Sequence, residues 1–247
     1  MSLTTHESSA TRPTVVLVHG AFADSSSWND VIVSLRNDGY PVIAAANPLR
    51  GLHADAEYLR TVLDSVDGPI VIAGHSYGGS VMSQAADGRP QVKALVYVAS
   101  FILEEGESTG ELAAKFPGGE LGPALNPVPL TTADGQEASD LYIQQDRFRE
   151  VFAADVPEDV TALMAVTQRP IVGDALEEKA TRAAWKNIPS WNLVTLRDLA
   201  VPAESQRFMG ERAGSQNVEV DASHAVSVSH PAAVARLIDE AARATTR

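Results

Sequence analysis

The stretch Pro69-Ile70-Val71-Ile72-Ala73-Gly74-His75-Ser76-Tyr77-Gly78-Gly79 decides how this chain folds. It opens as a short apolar run, the pattern of a strand buried on both faces. Its second half reads G-x-S-x-G, and Ser80 to Ala86 beyond it has helical character. A serine on a sharp strand-to-helix turn has its hydroxyl lifted clear of the sheet, where a substrate carbonyl can meet it. The flanking glycines belong to the same geometry, because the turn is strained and crowded and a Cβ there would clash. Ser76 is therefore the candidate nucleophile.

Working outward, strands and helices alternate. Thr14 to Val18, Pro41 to Ala45, Ile70 to Ala73, Ala94 to Ala99, Trp191 to Thr195 and Val218 to Val220 read as short strands. Between them, Trp28, Val31, Ile32 and Leu35 recur at helical spacing, as do Ala56, Leu59, Val62 and Leu63. A last helix is predicted from Pro231 to Ala242, with proline in its first turn and Val234, Leu237 and Ile238 on one face. This order predicts an α/β fold with a mostly parallel sheet of about six strands flanked by helices.

From about Leu103 to Trp185 the rhythm breaks. Loop-like Phe116-Pro117-Gly118-Gly119 and Pro123 to Pro129 are followed by two amphipathic pieces. One holds Tyr142, Ile143, Phe148, Val151 and Phe152; the other holds Val160, Leu163, Met164 and Val166. The expectation is one domain over 1–247, with a core at about 14–102 and 186–247 and a helical lid at about 103–185. An insertion at the carboxyl ends of parallel strands lies over the place where such sheets bind ligands. Its apolar residues would then anchor it and line a pocket. Met164 and Trp185 from the insertion, Phe101 at its start and Ala21 after the first strand are the candidates for lining the substrate site.

Composition narrows the chemistry. Hydrophobic residues make up 45% of the 247, enough for a sizeable core. There is no cysteine, which excludes disulfides, thiolate metal sites and a cysteine nucleophile. The formal net charge of −13 argues against nucleic acid as a partner and sets an unfavourable field for anionic substrates. Met1 to Pro13 is polar and lacks the basic start and apolar segment of a signal peptide, and no apolar run is long enough to span a bilayer. A cytoplasmic protein without membrane contact, monomer or homodimer, is expected. No His/Asp/Glu cluster has metal-ligand spacing, so neither metal nor cofactor is expected.

A serine nucleophile needs a base. Of six histidines, His224 lies on the loop after the last strand, in Asp221-Ala222-Ser223-His224-Ala225, where it can reach a serine raised at the middle of the sheet. The base in turn needs a carboxylate to fix its tautomer. Asp198, after the strand ending near Thr195, is the preferred acid; Glu104, Glu105 and Asp221 are the alternatives. The oxyanion needs donors. The backbone N–H of Tyr77 is one, and that of Phe22, with Ala21 as the alternative, is the other.

The chain resembles the α/β-hydrolase fold proteins, and among them the small cofactor-free esterases grouped with plant methylesterases and hydroxynitrile lyases. His19-Gly20-Ala21-Phe22 through Trp28, Gly74 to Gly79, Asp198 with Val201-Pro202, and Ser223-His224 followed by the Pro231 helix carry the resemblance, which spans about Thr14 to Ala242. It implies Ser76, Asp198 and His224 as a catalytic triad and a small-molecule ester as substrate. A C–C lyase on the same triad and a catalytically silent ligand-binding member are the alternatives. The plant hydroxynitrile lyases carry a threonine after the oxyanion-loop histidine and a lysine after the catalytic one. Gly20 and Ala225 stand at those places, without the groups that would stabilise a departing cyanide.

Overall fold

The computed structural model describes residues 12–133 and 135–245; the polar start of the chain, His6 included, lies outside them. In chain order, β1 (Thr14–Val18), α1 (Asn29–Asn37), β2 (Val42–Ala45), α2 (Leu52–Asp64), β3 (Ile70–His75), α3 (Tyr77–Ala86) and β4 (Val92–Val98) alternate. An insertion follows, with α4 (Thr109–Ala113), β5 (Leu125–Thr131), β6 (Glu137–Ile143), α5 (Gln145–Phe152), α6 (Glu158–Thr167), β7 (Ile171–Val172) and α7 (Asp174–Glu177). The core resumes with β8 (Ser190–Thr195), α8 (Ala203–Arg212), β9 (Gln216–Val220), α9 (Val226–Ser229) and α10 (Pro231–Thr245).

Six strands form one parallel sheet in the order β2-β1-β3-β4-β8-β9. The period-2 pleat sends alternate side chains to opposite faces. Val16 and Val18 of β1 pack with Leu59 and Leu63 of α2 and Val81 and Met82 of α3. Val15 and Leu17 pack on the other face with Val31 and Leu35 of α1 and Leu237 and Ile238 of α10. Every residue of β3 is buried, which is why its sequence is a continuous apolar run and not an alternating one. Among the described residues, no helix is long and apolar enough to cross a membrane.

The insertion is mixed and not purely helical. β5 and β6 pair antiparallel from Leu125↔Ile143 to Thr131↔Glu137, and β7 adds to β6 at Asp140↔Val172. β5 escapes a search for apolar runs because it is an edge strand, largely exposed, and carries Pro127 and Pro129. Proline has no ladder N–H to give and is tolerated on such an edge. Tyr142 and Ile143 consequently belong to β6, and the helix expected to contain them starts at Gln145. In α6, Leu163 and Val166 face solvent at 67% and 60% exposure, so they do not anchor the insertion; Thr161 and Ala165 form its buried side.

The turn from β3 into α3 admits no extra atom. A Cβ on Gly78 would stand 2.3 Å from the Val18 carbonyl oxygen, a backbone atom that cannot swing away. Gly78→Ala should therefore cost at least about 2 kcal/mol, a fall in melting temperature of roughly 4–8 °C for a chain of this size. Gly122→Ala, with nothing within 4 Å of its Cβ, should melt within a degree or two of the parent. Equal melting temperatures for the two variants in a thermal scan would contradict this packing.

Candidate active site

Ser76 sits at the turn with φ 53° and ψ −127°, a left-handed conformation that a residue with a side chain adopts only under constraint. The constraint is a set of hydrogen bonds. Its N–H donates to the Val98 carbonyl (3.2 Å), and its carbonyl accepts from Ser100 Oγ (2.6 Å) and the Gly79 N–H (3.0 Å). Gly20 lies against it, since a Cβ there would stand 2.6 Å from Ser76 Cβ. Residue 76 is 7% exposed, and its hydroxyl donates to no described residue.

Asp198 and His224 meet on the adjoining strand ends. Asp198 follows β8 and His224 follows β9, neighbouring strands in the sheet. His224 Nδ1 lies 2.7 Å from Asp198 Oδ2, with both side chains at most 1% exposed. A carboxylate oxygen accepts, so Nδ1 carries the proton and Nε2 keeps a free lone pair. Asp198 is itself held on all sides. Oδ1 accepts the N–H groups of Ala200 (2.9 Å) and Val201 (2.8 Å), and Oδ2 also accepts from Thr195 Oγ1 (2.7 Å) and Gln206 Nε2 (3.0 Å). The other acid candidates are engaged elsewhere. Glu104 and Glu105 pair with Lys186, and Asp221 pairs with Arg197 at the surface (2.7 Å), which accounts for the arginine beside Asp198.

His224 is tied back to the Ser76 turn by His75. The His75 ring lies 4.7 Å from the His224 ring, and its Nε2 is 2.9 Å from the His224 carbonyl, so Nε2 carries the proton. Phe152 from the insertion stacks edge-on against both rings, at 6.2 Å and 4.9 Å. No hydrogen bond joins Ser76 to His224 in this structure, and such bonds often tighten only once substrate is bound. Ser76 Oγ and His224 Nε2 are not among the sealed, unpartnered polar atoms of the described core.

The loop after β1 departs from expectation. The Phe22 N–H donates to the Arg169 carbonyl (3.0 Å), so it is not free to meet an oxyanion. Phe22 also has a positive φ of 62°, uncommon for a residue with a side chain. The Ala21 N–H has no partner among the described residues, and neither does that of Tyr77 at the first turn of α3. Of the two loop amides, that of Phe22 is engaged and that of Ala21 is free among the described residues. Position in the motif could not separate the two, because the choice rests on a carbonyl from residue 169.

The remaining sequence candidates are scattered. Phe101 is buried beside the turn, its N–H 3.5 Å from the Ser76 carbonyl. Met164 and Val160, one turn apart on α6, line a groove of about 300 Å³ together with Phe22, Asp24, Asp30 and Val228. Trp185 donates its indole N–H to the Leu103 carbonyl (2.8 Å) and lies under the Arg212 guanidinium, a structural setting. The Tyr77 side chain is anchored on buried Asp55 (2.9 Å). Burial pushes the Asp55 carboxyl up, and burial with the neighbouring carboxylate pushes the Tyr77 hydroxyl up. Among the described residues, no group of three or more His, Cys, Asp or Glu is placed to hold a metal. Thr195, Gln206 and Ser100, which support the site, carry no motif that singles them out.

A sequence pattern described as the alpha/beta hydrolase family matches residues 15–237, and the chain belongs to that family. It is 28% identical over 258 residues to a pyrethroid hydrolase of Sphingobium wenxiniae, with 93% of this chain and 88% of that protein covered. It is 24% identical over 247 residues to a chloroplastic protein of Arabidopsis thaliana named methylesterase 11, covering 92% of this chain and 63% of that one. The crystal structure of polyneuridine aldehyde esterase shares the fold at a TM-score of 0.79 and 18% identity, over 93% of this chain and 99% of that one.

Burial, with the nearby His224 adding to it, lowers the His75 pKa to about 3, so the folded chain holds a neutral imidazole. The unfolded chain binds a proton there below about pH 6.5 and the folded one does not until about pH 3. Stability is therefore fully present above pH 6.5 and falls with acidification, by up to about 1.4 kcal/mol per pH unit from this group. In urea titrations between pH 6.5 and 4.5, His75→Gln should show a shallower loss than the parent. Parallel slopes would mean that His75 is protonated in the fold.

Proposed function

From membership of the alpha/beta hydrolase family and the buried Asp198–His224 pair beside Ser76, we propose that this chain is a serine hydrolase that cleaves carboxylic esters of small to medium size. The 2.7 Å contact between His224 Nδ1 and Asp198 carries the reading, because it places the ring proton on Nδ1 and leaves the Nε2 lone pair free to act as base. Two of the similar proteins carry esterase names, which agrees with it. The catalytic unit is one domain, with a core over residues 14–102 and 186–247 and the stretch 103–185 as its cover.

In this reading His224 Nε2 takes the proton of Ser76 Oγ as the oxygen attacks the ester carbonyl. The Ala21 and Tyr77 N–H groups receive the charge that develops on the carbonyl oxygen. Asp198 stays ionised and stabilises the imidazolium. The carbon–oxygen bond to the alcohol then breaks, and Nε2 returns its proton to the departing oxygen. Water, losing a proton to Nε2, attacks the acyl-enzyme; the acid leaves, and Ser76 Oγ regains its hydrogen. Asp24 and Asp30 border the groove beside Phe22, and the chain carries a net charge of −13, so uncharged esters are favoured over anionic ones.

With an aryl acetate, Ser76→Ala should lose at least about a thousandfold in turnover, since members of such a triad act as a unit. An organophosphate should add one group, on Ser76 and not on Ser80 or Ser83. Activity within tenfold of the parent, or an adduct elsewhere, would remove Ser76 from the mechanism.

Asp198→Asn offers His224 a neutral partner and the wrong tautomer; in serine proteases that exchange drops turnover by about 10⁴. A loss of at least about a hundredfold is expected, against less than about threefold for Asp221→Asn and Glu104→Gln. If either of the latter proves the severe variant in the same assay, the acid is not Asp198.

A further inference from the structure

We infer that Asp155, at the junction of α5 and α6 in the insertion, is a positioning residue for His224. The inference rests on the reading of His224 as the base. Asp198 fixes only one end of the imidazole, the Nδ1 edge. The ring still moves with its own backbone, and that backbone sits on a loop after β9 with no ladder hydrogen bonds of its own.

The insertion holds this loop from both sides. The Asp155 carboxylate accepts the Ser223 N–H (3.1 Å) and, in a short contact, the Ser223 hydroxyl. Two residues on, the Ala225 N–H donates to the Phe152 carbonyl (2.9 Å). His75 holds the residue between them, through the His224 carbonyl, from the sheet side. Residues 223, 224 and 225 are thus each hydrogen-bonded, two of them to the four-residue span 152–155.

Asp155 is the charged member of the set. Its side chain is 9% exposed, and the near neighbour on its open flank is His230, with Nδ1 at 3.5 Å. Burial pushes its carboxyl up, yet the hydrogen bonds from Ser223, joined by those from the Ser229 hydroxyl and its own backbone N–H, together outweigh this and leave it below the ordinary value. Bonds to an ionised acceptor are about twice as strong as neutral ones. A base misplaced by about 1 Å costs on the order of a hundredfold in rate, so a clamp on the flanking residue acts on turnover and not only on stability.

The test uses Asp155→Ala, Asp155→Asn, Ser223→Ala and the double variant Asp155→Ala/Ser223→Ala. Active sites are counted by exhaustive organophosphate labelling, and turnover of an aryl acetate is given per labelled site. Asp155→Ala should lower kcat per site by roughly 10–100-fold, with KM within about threefold of the parent. Asp155→Asn, whose amide oxygen still accepts, should recover most of that loss. The double variant should be no worse than Asp155→Ala, because without the carboxylate the Ser223 hydroxyl has already lost its partner. If Asp155→Ala fails to fold, Ser223→Ala alone should still lower kcat per site by roughly 3–10-fold. A merely structural role would lower the melting temperature or the labelled fraction and leave kcat per site unchanged, and that result overturns the inference. Failure of the underlying reading is separate, since it would appear as a nearly normal Ser76→Ala or Asp198→Asn with Asp155 intact.

Discussion

The backbone of Ser76 is the constraint on which the rest of the site depends. A residue with a side chain held at φ 53° and ψ −127° is strained by about 1–3 kcal/mol, and it persists only where its surroundings over-determine it. Here β3 is buried throughout and α3 is buried along its length, so neither element can relax to relieve the turn. Gly78 rests on the Val18 carbonyl and Gly20 on Ser76 itself. The same contacts that permit the strain bring the loop after β1, with its free Ala21 N–H, against the serine.

A second constraint is electrostatic. A carboxylate with a fully buried side chain is costly unless its lone pairs are occupied, and Asp198 accepts from two backbone amides, Thr195, Gln206 and His224. Those partners leave one orientation for the carboxylate and hence one for the imidazole. Around it, burial keeps His19 and His75 toward their neutral forms, so the interior adds no competing positive charge. His75 then does for the backbone of His224 what Asp198 does for its ring.

The parallel core was legible because burial on both faces leaves a plain signature. Thr14 to Val18 and Ile70 to Ala73 are continuous apolar runs, and both became central strands. The insertion was legible only in outline. β5 is exposed and carries two prolines, so nothing in its apolar pattern marks a strand, and pairing with β6 made it one. Leu163 and Val166 have helical spacing, yet they face solvent, because spacing defines a stripe and says nothing of what covers it.

Local sequence by itself determined the strand-to-helix turn at Ser76 and the strands that end near Asp198 and His224, because strand burial, tight turns and their glycines are short-range properties. Tertiary structure decided everything that depended on a distant partner. The Arg169 carbonyl removed the Phe22 N–H and left Ala21. The proximity of β8 and β9 joined Asp198 to His224, while Lys186 and Arg197 drew off the other carboxylates. Asp155 reached Ser223 across 68 positions of chain. Such partners share no motif, since hydrogen bonds between remote segments are set by how the chain packs and not by which residues stand side by side in it.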